Sequence, residues 1–311
     1  MAIPERYRER VANAAPMFTV NDRFTLLSSD ADSIIYRVAA TTSNIETAKR
    51  RFVHTAMTQM LLADANIGHF HLTPKHCRKA GRFNVLAQKP YQGNRTNGKK
   101  PELVEPLRYA VGRNKLNLPD DIKIVFNEVY EADDSVIMEG VEHGDDCIIY
   151  SEDKDLLCTR NKMLCPETSL VIPGVPLSSV GTLHLKELSA SKKVVGRGPL
   201  FFWAQMMMGD TADNIKGLTK YSGKQCGPVA TYNALERFDS TGDEAAVARF
   251  VLEQYMIAGQ NPWPEAWLLW LYPKEGYTFM HHLKHLGILD DSELGIWLAK
   301  QFKSKWFTKG E

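Results

Sequence analysis

At 311 residues, 44% hydrophobic and 24% charged, the chain can bury one large core or two modest ones, which excludes a disordered or collagen-like protein. No apolar run approaches the roughly 20 residues of a membrane helix, and the polar start MAIPERYRERVANAAP lacks the apolar stretch of a secretory signal, so no membrane partner and a cytoplasmic location are expected. The 5 cysteines are scattered without a C-x-x-C pair, against a disulfide framework or zinc ribbon, and 38 Lys and Arg against 37 Asp and Glu leave a formal charge of +1 that points to no charged partner.

In chain order, residues 1–22 form an extension with no interpretable signal. FTLLSSDADS (24–33) reads as a buried parallel strand, because its apolar residues run together instead of alternating. TAKRRFVHTAMTQMLLADA (47–65) has helix length and pattern. Residues 74–115, with Gly81, Pro90, Gly93, Gly98 and Pro101, read as a long insertion between strands, and they carry 11 Lys or Arg against Glu102 and Glu105. Such a block suggests a polyanion partner, with a plain solvated loop as the alternative. IKIVFNEVYEADD (122–134) and CIIYSEDKD (147–155) read as two more buried strands, and residues 128–155 hold 11 carboxylates against Lys154 alone. After Pro199 the segments FFWAQMMMGD, GPVATYNALERF and PEAWLLWLYP look helical. Strand and helix alternation predicts an α/β fold with a central parallel sheet flanked by helices over 23–199, followed by a mainly helical region over 200–311.

All three acidic groups fall at the carboxyl ends of the predicted strands, where ligands gather in parallel sheets. They are Asp30 with Asp32, then Glu131 with Asp133 and Asp134, then Asp153 with Asp155. MMMGDTADNIKGL adds Asp210 and Asp213, whose i, i+3 spacing puts them on one side of a helix end. Carboxylates brought to about 5 Å repel by about 3 kcal/mol per pair at an effective dielectric near 20, so the whole group needs cations. Oxygen ligands without His or Cys select Mg²⁺ or Mn²⁺ over Zn²⁺. Taken singly, each acid also fits a helix cap, and EADDS before VIMEGV is well placed for one.

YEADDSV (130–136), YSEDKDL (150–156), MMMGDTADNIKGL (206–218) and PYQGNR (90–95), in this order and spacing, resemble the motifs of the phage and bacterial 5′-nucleases. That family comprises flap endonucleases, 5′-3′ exonucleases and the exonuclease domain of DNA polymerase I. The resemblance runs from about Thr25 to Ala234. It implies a PIN-like nuclease core, a helical arch at about 74–115, and a helix-three-turn-helix-like element at IKGLTKYSGKQCG (215–227). It implies two Mg²⁺ ions, replaceable by Mn²⁺, with Asp30, Glu131 and Asp133 in one metal group, Asp153, Asp155, Asp210 and Asp213 in the other, and Asp134 in support; Asp32 follows a phage-type variant. It also implies a K⁺ ion at the helix-three-turn-helix, and DNA contacts from Tyr91, Gln92, Gly217, Gly223 and Lys224.

Two departures stand out. Thr73 aligns where the family has an Asp after the second strand. Gln92 stands where the arch has Lys, so the cation near the scissile phosphate falls to Lys89, Arg95, Arg78 or Lys79. The expected activity is hydrolysis at 5′ ends or flaps of DNA, or of RNA-DNA hybrids, by a monomer without an attached polymerase, as in a phage enzyme working in the host cytoplasm. Two other readings compete. One is a catalytically weakened structure-specific DNA-binding protein, motivated by Thr73 and Gln92. The other is a haloacid-dehalogenase-like phosphatase, motivated by D-A-D-S and G-D-T-A-D-N. Trp263, Trp267 and Trp270 recur at helical spacing and read as core, or else as a base-stacking platform.

Overall fold

The computed structural model describes residues 24–97, 100–189 and 191–308. The predicted 1–22 extension lies outside the described residues. The chain runs through β1 (Leu26–Asp30), α1 (Ala31–Ala40), α2 (Ile45–Ala63) and β2 (Ile67–Leu72) into the basic insertion. It continues with α3 (Val104–Gly112), β3 (Ile122–Phe126), α4 (Ala132–His143), β4 (Cys147–Tyr150), β5 (Met163–Leu164) and β6 (Val171–Ile172). These six strands form one sheet in the order β3-β2-β1-β4-β5-β6, parallel except for the β5 and β6 pair.

Every residue of LLSSD in β1 and of CIIY in β4 is buried, as expected for central strands covered on both faces. The strand order changes direction at β1, with β2 and β3 on one side and β4 on the other. A crevice opens at such a point beyond the carboxyl ends. Asp30 ends β1 and Ser151 follows β4, so the acidic motifs flank this crevice.

The insertion was expected to be a helical arch. Its described part contains two 3-10 turns, Lys79–Asn84 and Gly93–Asn97, and one α-helix, α3. It is also tied down, since Val85 bridges Phe307 and the Leu86 amide donates to the Trp306 carbonyl at 2.8 Å. Glycines and a Pro interrupt any long helix there.

The remainder adds an antiparallel hairpin, β7 (Thr182–Glu187) with β8 (Lys192–Arg197), that the sequence pattern did not reveal. Then follow α5 (Pro199–Met208), the small hairpin β9 (Lys220–Tyr221) with β10 (Lys224–Gln225), α6 (Pro228–Leu235), α7 (Glu244–Ile257), α8 (Trp263–Leu269), α9 (Phe279–His285) and α10 (Glu293–Phe302). Trp203, Tyr255, Trp263 and Phe279 fill the centre of this region, joined by Val85 and Tyr91 from the insertion and Leu183 from the hairpin. Trp263 and Trp270 are buried, and the Trp267 indole donates to the Ala80 carbonyl at 3.2 Å, so all three are core residues. No described helix is long and apolar enough to cross a membrane.

Candidate active site

Asp30 caps α1, accepting from the amides of Asp32 at 2.8 Å and Ser33 at 3.3 Å, while the Ser151 hydroxyl donates to its Oδ2 at 3.1 Å. Burial, and then the neighbouring Asp32, push its carboxyl up to about 7. Asp153 follows β4 and caps a 3-10 turn through the Asp155 amide, at 3.0 Å. Burial and Asp155 push it up to about 6. Asp133, in the first turn of α4, is raised well above the usual carboxylate range by burial, by Asp30 and by Asp153. Its Oδ1 is buried without a hydrogen-bond partner.

Asp155, Asp210 and Asp213 offer oxygens that all lie within 4.8 Å of one another. Asp210 and Asp213 come from a closed loop after α5, not from a helix end as the i, i+3 spacing suggested. Asp210 and Ile215 exchange both backbone hydrogen bonds, at 2.8 and 2.6 Å. Gly209 and Gly217 both have positive φ there, and a Cβ on Gly217 would meet the Gly209 nitrogen at 2.3 Å, so only glycine allows the loop to close. Lys154 Nζ lies 2.9 Å from Asp155 and 2.6 Å from Asp210. Gln205 donates to Asp155 at 2.6 Å, and Arg95 pairs with Asp213.

The third carboxylate group is already neutralised. Glu131 meets Lys79 at 2.8 Å and Arg82 at 3.0 Å, and Tyr91 donates to it at 3.0 Å. Burial alone would raise its carboxyl, but Arg82 and Lys79 hold it below the usual range. Asp134, predicted to support the metals, instead accepts both arms of the Arg82 guanidinium, at 2.7 and 2.8 Å. It is fully buried and also accepts from the Tyr272 amide at 3.3 Å, so its role here is to anchor the insertion against the helical region.

Thr73 serves as a cap, its hydroxyl accepting from the first amide of α4 at 2.9 Å and its own amide donating to Asp32 at 3.1 Å. Asp32 pairs with Arg108 at 2.6 Å. Asp30, Asp32, Glu131, Asp133, Asp153, Asp155 and Asp213 line one cavity of about 1320 Å³, together with Lys79, Arg82, Arg95 and Arg108.

Of the four cations suggested for the scissile phosphate, Lys79 and Arg95 line this cavity. Arg78 and Lys89 are exposed and do not, because the turns of the insertion direct them outward. Tyr91 and Gln92 also line it, with the Gln92 amide reaching the Tyr91 hydroxyl at 3.1 Å and Asp213 at 3.3 Å. Gly217 lies inside the Asp210 loop, and its carbonyl accepts from Gln260 at 2.9 Å. Gly223 and Lys224 sit apart from the cavity on the exposed β9–β10 hairpin between α5 and α6, the place of the expected helix-three-turn-helix. Sequence reasoning missed Arg82, Arg108, Lys154 and Gln205. The positive charge count in the insertion was the available signal for the two arginines.

The donors fit a hard divalent cation, being oxygen throughout, with the buried Asp133 Oδ1 unpartnered and the carboxyls of Asp30 and Asp153 pushed up first by burial and then by neighbouring carboxylates. Among solved structures, the chain is similar to the bacteriophage T5 flap endonuclease in a pseudo-enzyme-product complex with DNA and metal ions, at 14% identity and a TM-score of 0.51, over 90% of this chain and 98% of that one. It is similar also to the T5 5′-exonuclease with bound zinc ions, at 15% identity and a TM-score of 0.51, over 90% and 99%. The fold is the 5′-nuclease fold. No protein-family model matches the chain, and no curated protein sequence does.

Proposed function

We propose that the protein is a divalent-metal-dependent 5′-nuclease that hydrolyses phosphodiester bonds at DNA 5′ ends or flaps, including those of RNA-DNA hybrids, in phage replication or primer removal. The observation that carries this is the convergence on one cavity of Asp30, Asp133 and Asp153 with Asp155 and Asp213, the first three carrying raised affinities for protons and Asp133 lacking a partner. Asp30, Asp133 and Asp153 would hold one Mg²⁺ or Mn²⁺ ion and Asp155, Asp210 and Asp213 the other. When bound, such ions supply water activation and neutralise charge on the leaving oxygen.

The chain's own residues do the rest. Lys79, Arg95 and Arg108 face the same cavity and bind the phosphates, with Lys79 filling the role that Gln92 cannot. Tyr91 holds Glu131 in place. Lys224 and the Gly223 turn grip the duplex backbone from the exposed hairpin. On this reading residues 23–199 form the nuclease core, completed by Asp210 and Asp213, and the rest of 200–311 the DNA-gripping region of a monomer in the host cytoplasm.

The binding-only reading draws on Thr73, which caps α4, and on Glu131, which is already paired. The phosphatase reading loses its support because Asp210 follows helix α5 where that mechanism needs a strand. A 5′-labelled flap and a blunt duplex incubated with Mg²⁺, beside p-nitrophenyl phosphate, separate the three. Metal-dependent cleavage that Asp153→Asn abolishes is the expected result. Intact DNA with retained binding leaves only the second reading, and turnover of the phosphate ester alone restores the third.

A further inference from the structure

Lys154 stands among carboxylates assigned above to a metal ion. Its Nζ contacts Asp155 Oδ1 and Asp210 Oδ2 at 2.9 and 2.6 Å, and these two residues with Asp213 are the ones whose oxygens cluster within 4.8 Å. The ammonium is thus the cation shared by Asp155 and Asp210, while Arg95 pairs with Asp213. The other contacts of the two carboxylates come from fixed, rigid parts of the fold. Gln205, 1% exposed on α5, donates to Asp155 at 2.6 Å and is itself oriented by the Cys158 thiol, which donates to its Oε1 at 2.8 Å. The Ala212 amide donates to Asp210 Oδ1 at 2.9 Å.

Lys154 differs from these partners in being able to leave. Its side chain is 31% exposed and carries a compact charge on a flexible stem, which water solvates well. A divalent ion seated on these two oxygens would face the ammonium at close range, where like charges repel. Among the described residues no Lys or Arg forms an ion pair with Asp30, Asp133 or Asp153, and Lys154 acts on Asp153 only at longer range.

We propose that Lys154 is a placeholder cation for the Asp155, Asp210 and Asp213 group, holding Asp155 and Asp210 together beside the Arg95–Asp213 pair in the metal-free protein and yielding its place when a divalent ion binds. Lys154 is then a positioning residue with two opposed effects. It stabilises the metal-free fold, and it weakens metal binding at one of two sites by competition. This rests on the divalent-metal reading of the centre.

The test is calorimetric Mn²⁺ titration and metal-free thermal melting of the full chain as wild type, Lys154→Met, Lys154→Gln and Asp210→Asn. Wild type should show two classes of Mn²⁺ site. Both lysine variants should bind Mn²⁺ more tightly at one class, by roughly five- to tenfold. Their metal-free Tm should fall by about 2–4 °C, with the deficit closing at saturating Mn²⁺. A structural ion pair alone would lower Tm without raising metal affinity. Wild-type binding that Lys154→Met and Lys154→Gln leave unchanged or weaken therefore overturns the placeholder role while keeping the metal site. A wild type that binds no Mn²⁺, or binding that Asp210→Asn leaves intact, overturns the metal assignment and the placeholder role together.

Discussion

Glu131 and Asp133 stand two residues apart at the start of α4, and their surroundings are opposite. Glu131 has two cations and a phenol on its oxygens, and with Asp134 it fastens the basic insertion to the sheet. Asp133 faces Asp30 and Asp153 with an oxygen that nothing satisfies. One side of the helix end is completed by the chain, and on the proposed function the other would take a divalent cation. The acidic motif would then do two jobs, one of architecture and one of chemistry.

The architectural side should break most dramatically. Arg82→Met strands the fully buried Asp134 and removes a partner from Glu131, and should destabilise the fold by about 3–5 kcal/mol in denaturant titration. A loss under 1 kcal/mol would mean that Asp134 is not held as an ion in the folded protein.

The chemical side predicts an inverted pH dependence. Asp30 and Asp153 have folded values of about 7 and about 6 against an ordinary 3.8, so the folded state keeps protons that the unfolded chain has released. Stability of the metal-free protein is then full below about pH 4 as far as these groups are concerned, and is lost as pH rises towards 7. Thermal melting from pH 4 to 8 with a chelator should show this decline, and Mg²⁺ should flatten it. For the same reason Asp133→Asn should raise metal-free stability at pH 7, read from the same melts.

Smaller effects sharpen the contrast. Lys79→Met should lower stability by about 1 kcal/mol and reduce the salt dependence of DNA binding by about one phosphate contact, measured as the slope of log affinity against log salt. Gly223→Ala, in a turn with φ +77° and open space around the added methyl, should cost about 1 kcal/mol in denaturant titration.

The carboxylates were legible in the sequence because a parallel sheet delivers its strand ends to one edge, so chain order alone groups Asp30, Asp133 and Asp153. The loop that presents Asp210 was misread as helix, since i, i+3 spacing does not distinguish a helix end from a closed turn whose shape depends on two glycines at positive φ. The ion pair of Asp134 was not foreseen for a different reason. Its partner Arg82 is 52 residues away, and a buried ion pair across that distance leaves no local pattern. The β7–β8 hairpin escaped notice because its apolar positions, Leu183, Leu185 and Val194, are interrupted by exposed Lys and Glu. Thr73 looked like a lost ligand, and it proved to be the cap that orients the helix bearing Asp133.

The central claim is that Asp133 belongs to a working metal centre while Asp134 belongs to the scaffold. It is tested most directly by the rate of 5′-flap cleavage with Mg²⁺ for wild type and Asp133→Asn, each shown to be folded. The account predicts metal-dependent cleavage by wild type and a loss of more than about a hundredfold in the variant, larger than changes outside the ligand shell produce. Cleavage that survives in Asp133→Asn, or its absence from the wild type with either Mg²⁺ or Mn²⁺, would contradict it.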